Sequence, residues 1–121
     1  MNIKKIQKHY NNACEKHPYF CDGLTGRDVY GANPFRSQYE YYSAELRLIR
    51  DEVKCRSKNG TLKAGHVLQC EYREVLEAYA RNDTTAAVEE CYDAIAVLLR
   101  VIDVLEGRQK LGQPENQGES K

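Results

Sequence analysis

The sequence predicts an all-α domain of the four-helix-bundle type, arranged around an antiparallel helical hairpin and completed by oligomerisation. Three observations predict it. Residues 68–105 hold two helical patterns of apolar residues separated by the short polar break Arg81-Asn82-Asp83-Thr84-Thr85. Two further amphipathic patterns precede them. The last pattern is apolar around most of its circumference, which is what a helix covered from more than one side requires.

Taken in order, Ile3, Ile6, Tyr10, Ala13 and Cys14 recur at helical spacing, and Pro18 ends that helix after His17. Lys4, Lys5 and Lys8 make its outer face basic, as a solvated face would be. Residues 18–37, with Pro18, Gly23, Gly26, Gly31, Asn33 and Pro34, read as a turn-rich loop, long enough to serve as a lid beside a site. Tyr39, Tyr42, Leu46, Ile49 and Val53 mark a second helix, with Glu45, Arg47 and Arg50 among its polar positions, and Gly60 stops it. Thr61 is the expected N-cap of the third helix and Asp83 or Thr84 that of the fourth. Residues 1–107 are expected to form one domain with the hairpin, 61–107, as its core. The tail 108–121 is almost without apolar residues and is expected to be disordered.

The hairpin carries two pairs of acids at i, i+3 spacing: Glu71 and Glu74 on its first helix, Glu90 and Asp93 on its second. At ~100° per residue, each pair lies on one face. At ~1.5 Å per residue, Glu74 lies roughly 12 Å before the turn, and Glu90 and Asp93 roughly 9–14 Å after it. The pairs therefore sit at matching heights. Spacing sets the height and leaves the rotation open.

Neighbouring residues bear on the rotation. Val88, Cys91, Ile95, Leu98, Leu99, Ile102 and Leu105 form the broad apolar stripe of the last helix, and Leu68, Tyr72, Val75, Leu76 and Tyr79 that of the helix before it. Glu90 and Asp93 lie off the broad stripe, yet their own face continues through Val97, Val101 and Val104. Glu71 and Glu74 share their side with Val67 and Ala78. Acids in apolar company are expected to be partly buried. Converging carboxylates repel unless they take up protons or a cation. An all-oxygen donor set without His or Cys suits Mg²⁺ or Mn²⁺. The competing reading is that i, i+3 acids simply face solvent, as they usually do on helices.

Glu71-Tyr-Arg-Glu74, a gap of fifteen residues, then Glu90-Cys-Tyr-Asp93 resembles the E-E-x-x-E … E-x-x-D signature of the MazG-like all-α nucleoside triphosphate pyrophosphohydrolases. The run Glu89-Glu90-Cys91-Tyr92-Asp93 with its apolar continuation is the part most like that family. The resemblance spans about residues 63–106. Cys70 stands where the signature has its first Glu, and Ala86 where some members have Lys.

The resemblance implies Mg²⁺-dependent hydrolysis of a (d)NTP to the monophosphate and pyrophosphate, with Glu71, Glu74, Glu90 and Asp93 as metal ligands and an assembly of paired bundles. A water activated by the ion, or held by a free carboxylate such as Glu74, would attack in line. Arg100, seven residues beyond Asp93 and almost on its face, is a candidate phosphate contact, or equally a surface partner of Asp103 or Glu106.

Composition narrows the partners. Eighteen basic and eighteen acidic residues balance, so nucleic acid finds no electrostatic footprint. No long apolar run and no signal peptide are visible, so no membrane partner and a cytoplasmic location are expected. Five irregularly spaced cysteines fit reduced thiols better than disulfides. Cys14, His17 and Cys21 lack a fourth ligand and zinc-ribbon spacing. A di-iron carboxylate bundle needs Glu-x-x-His, which does not occur in the chain. The remaining rival is a non-catalytic helical interaction protein that keeps the hairpin for packing. A core with so much apolar circumference and so few helices to cover it implies a homodimer or higher oligomer.

Overall fold

A computed structural model describes residues 2–20, 24 and 38–108. The expected lid over 18–37 and the expected tail over 108–121 lie, apart from residues 18–20, 24 and 108, outside those residues. Four helices follow one another: α1 (Ile3–Lys16), α2 (Gln38–Asn59), α3 (Ala64–Ala80) and α4 (Thr84–Leu105), with no strand among the described residues. The fold is all-α and of bundle type.

Each helix ends for a local reason. Asn2 caps α1, its Oδ1 accepting from the Lys5 N–H at 3.0 Å. Asp83 caps α4, its Oδ1 accepting from the Ala86 N–H at 3.0 Å. Helices α2, α3 and α4 all stop in the same way, on a left-handed residue followed by paired bonds back into the last turn. After α2, Gly60 at φ 71° allows the Thr61 N–H to reach the Arg56 carbonyl at 2.9 Å. After α3, Asn82 at φ 63° allows the Asp83 N–H to reach the Ala78 carbonyl at 3.0 Å. Asparagine is among the few side chains that tolerate this conformation.

The cap at Gly60 also corrects one expectation. Thr61 does not cap α3, because it belongs to the closing turn of α2. The N-cap position falls to Lys63, whose backbone N–H donates to His66 Nδ1 at 3.0 Å.

Helix α3 is the middle of the packing. It lies against α2 on one side and α4 on the other, while α2 and α4 make no close approach to each other. Helix α1 packs on none of the three, and its Ile3, Ile6 and Tyr10 remain exposed. The buried side chains are Tyr42, Leu46 and Ile49 from α2, Val75, Leu76 and Ala78 from α3, and Ala87 and Val97 from α4. Burying one large aliphatic side chain contributes roughly 1.5–3 kcal/mol. A core this small leaves apolar surface over.

That surplus lies on α4. The helix turns Ala87, Glu90, Val97, Val101 and Val104 towards α3, all buried or half-buried. Its broad stripe sits about a third of a turn away at ~100° per residue. Ile95 and Leu98 are each about half exposed and Leu105 is 78 % exposed. Tyr72 and Tyr79 of α3 are exposed as well. The rotation thus brings the acid-bearing faces of both helices inward and leaves the more apolar face of α4 outward.

Candidate metal centre

The hairpin places the acids by counting residues. Glu74 lies six residues before the end of α3 and Glu90 six after the start of α4; Glu71 and Asp93 are each nine from the same ends. Antiparallel helices joined by so short a turn therefore set Glu74 level with Glu90, and Glu71 level with Asp93. With the acid faces turned inward, carboxylate oxygens of Glu71, Glu90 and Asp93 lie within 4.8 Å of one another. Glu71 and Glu90 are half-buried and Asp93 is exposed, so the cluster opens to solvent on the Asp93 side.

The fourth acid is held differently. Glu74 adjoins Glu71, but its Oε2 accepts a hydrogen bond from Arg50 Nη2 of α2 at 2.8 Å. Three of the four acids converge, and Glu74 stands at their edge in an ion pair. Arg100 is exposed, roughly 10 Å along α4 from Asp93, and pairs with no acid among the described residues. Its alternative partner Asp103 is taken by Arg108, at 3.2 Å.

The electrostatics are those of crowded carboxylates. Burial, then the neighbouring Glu74, Asp93 and Glu90, pushes the Glu71 carboxyl up from 4.5 to about 7. Glu74 is the acid that acts most strongly on Glu71. Glu71 Oε1 is buried and has no hydrogen-bond partner. Burial and Glu74 also raise Glu90. Burial raises the Cys70 thiol, followed by the charges of Glu74 and Glu71, so the position before Glu71 stays neutral. A glutamate there would add a further charge to the crowd.

Glu71 thus combines a buried oxygen without a donor with membership of a three-carboxylate group whose ligand atoms lie within 4.8 Å, and such a group favours a proton or a cation. The donors are all oxygen, which fits Mg²⁺ or Mn²⁺. The cluster can bind such an ion, exchange protons near neutrality, or do both in competition.

Arg50 is the residue that sequence reasoning did not single out. The height count that pairs α3 with α4 would have found it if applied across Gly60. Arg50 is nine residues before the end of α2 and Glu74 ten after the start of α3.

Among the remaining polar features, Cys14, Cys55, Cys70 and Cys91 are free thiols, and Cys21 of the weak zinc set lies outside the described residues. Among the described residues no helix is long and apolar enough to cross a membrane. No family model matches the chain, and no curated protein or solved structure is detectably similar to it.

Proposed function

We propose that this chain is a Mg²⁺-dependent nucleoside triphosphate pyrophosphohydrolase of the MazG-like kind, converting a (d)NTP and water to the (d)NMP and pyrophosphate. The observation that carries the reading is the three-carboxylate cluster built at matched heights on one hairpin, one member of which, Glu71, has a buried oxygen without a partner. Glu71, Glu90 and Asp93 would hold the ion. Held there, Mg²⁺ would supply charge neutralisation for a triphosphate. Glu74, outside the converging set but adjoining Glu71, would accept a proton from an attacking water. The exposed Asp93 side is the open approach for a phosphate chain. Arg100 lies farther along that same helix and would meet only the distal part of a substrate.

Self-association belongs to the same reading. Val88, Ile95, Leu98, Ile102 and Leu105 form a continuous exposed row on α4. Monomeric soluble proteins rarely leave such a patch uncovered. We assign its cover to a second copy of the chain, giving a homodimer or larger assembly.

The test is product chemistry. The chain is incubated with Mg²⁺ and each common ribo- and deoxyribonucleoside triphosphate, beside Glu90→Gln, and pyrophosphate is assayed. Pyrophosphate and monophosphate release, lost in Glu90→Gln, is the expected result. Orthophosphate with a diphosphate product would keep the ion site and change the cleaved bond. A second reading, a non-catalytic helical interaction protein, is favoured by the exposed α4 row alone. It predicts no turnover and a melting temperature indifferent to millimolar Mg²⁺, whereas a ligand of the native state must raise it.

A further inference from the structure

We infer that Arg50 is a phosphate-binding and positioning residue, which holds Glu74 out of the carboxylate cluster until an anionic ligand takes its guanidinium. The inference rests on the proposed pyrophosphohydrolase reading and adds to it the order in which the site assembles. Among the described residues, Arg50 is the only Lys or Arg that pairs with any of the four acids. It reaches them from α2, a helix that contributes no acid to the cluster.

Exposure is divided unevenly in this pair. The Arg50 side chain is 57 % exposed and that of Glu74 21 %. The guanidinium is therefore the more accessible member of the pair. One of its five N–H donors goes to Glu74, and the planar fork matches two phosphate oxygens at once. A solvent-exposed ion pair is weak and is readily exchanged for a partner carrying more charge. The terminal phosphates of a triphosphate are such a partner.

Losing Arg50 frees Glu74 beside Glu71. Glu74 then offers either a fourth oxygen donor or a proton acceptor to a cluster that otherwise has three members. Each ligand thus improves the site for the other: phosphate releases Glu74, and the ion satisfies the carboxylates that Arg50 no longer balances. Such coupling is reciprocal by thermodynamic necessity.

The experiment measures Mn²⁺ binding at fixed free Mn²⁺, by electron paramagnetic resonance and by thermal melting, with and without inorganic triphosphate as a base-independent probe. In the unmodified chain triphosphate is expected to tighten Mn²⁺ binding by about fivefold or more. Arg50→Gln is expected to bind Mn²⁺ alone at least as well, because a competing charge on Glu74 is gone, and to lose the tightening. Arg50→Lys should recover part of it, since an ammonium keeps the charge and loses the fork. In turnover, Arg50→Gln should raise KM for the nucleotide by more than it lowers kcat.

Full tightening retained in Arg50→Gln, or weaker Mn²⁺ binding by that variant without triphosphate, overturns the role of Arg50 and leaves the metal site standing. Failure of the unmodified chain to bind Mn²⁺, with or without triphosphate, overturns the functional reading and this role together. Circular dichroism of each variant separates loss of binding from loss of fold.

Discussion

The two long faces of α4 divide the labour of the helix in an unexpected way. Its inward face carries Ala87, Glu90, Val97, Val101 and Val104, which are small or charged. Its outward face carries Val88, Ile95, Leu98, Ile102 and Leu105, which together offer more apolar surface. Hydrophobicity alone would bury the second face. Small residues on the first let α3 approach closely, and the caps at Asn82 and Asp83 fix how the chain re-enters after the turn. The cluster of acids is thereby drawn against α3, open to solvent at Asp93, and the larger apolar row is left outward. A packing choice that looks wasteful within one chain would become economical if both an ion and a second copy were bound.

For self-association, the outward face of α4 is the more sensitive of the two to substitution. Leu98→Lys places an ammonium in the middle of the exposed row and should weaken self-association by at least about tenfold, since a charge buried unpaired at an interface costs well over 1.4 kcal/mol. Light scattering over a concentration series reads this directly. An unchanged assembly would mean that the row is covered by something other than a second copy. Glu90 of the inward face is untouched, so the Mg²⁺-dependent rise in melting temperature should survive.

A matched pair of truncations sharpens the contrast within one monomer. Val97 is 8 % exposed and Ile95 49 %. Val97→Ala should cost about 1–3 kcal/mol in urea unfolding, from lost burial and the void left behind. Ile95→Ala should cost roughly 0.5 kcal/mol or less under dilute, dissociated conditions. Equal losses would mean that the monomer buries both faces.

A smaller effect concerns the acids inside. The folded chain holds Glu71 at about 7 against an ordinary 4.5, so folding favours its protonated form. The stability it contributes is complete below about pH 4.5 and is lost as pH rises through about 7. In EDTA, the melting temperature should fall by a few degrees across that window relative to Glu71→Gln, in which the trend is removed. Mg²⁺ should reverse the trend, because it binds the ionised form and releases a proton. A local change at the entry to α4 leaves the cluster intact: Asp83→Ala removes the cap on Ala86 and should cost about 1 kcal/mol in urea unfolding.

Much of this arrangement is legible in the sequence. Helical period marks the four helices, and the polar break at 81–85 marks the hairpin. Counting from that break gives the level of all four acids, because rise per residue is nearly invariant. Rotation is another matter. Both faces of α4 are apolar, so periodicity supplies two answers, and only contact with α3 selects between them. Glu74 illustrates a second limit. Its spacing from Glu71 is that of a ligand pair, yet its partner Arg50 comes from α2, 24 residues before it in the chain. An ion pair between helices needs a third element in register, and a motif on one hairpin cannot express it. The start of α3 shows a third, since Thr61 has the right chemistry for an N-cap but is already used to close α2.

The central position of α3 has a consequence for how the chain opens. Because α2 and α4 touch α3 and not each other, either can detach while the remaining pair stays packed. The three helices then form a ladder of local stabilities rather than a single cooperative block. Amide hydrogens of Val75, Leu76 and Ala78 should exchange with solvent last, and those of α1 first, since α1 rests on no other helix. An ion held between Glu71 on α3 and Glu90 and Asp93 on α4 would tie one rung to the next, slowing exchange along α4 while leaving α2 to breathe.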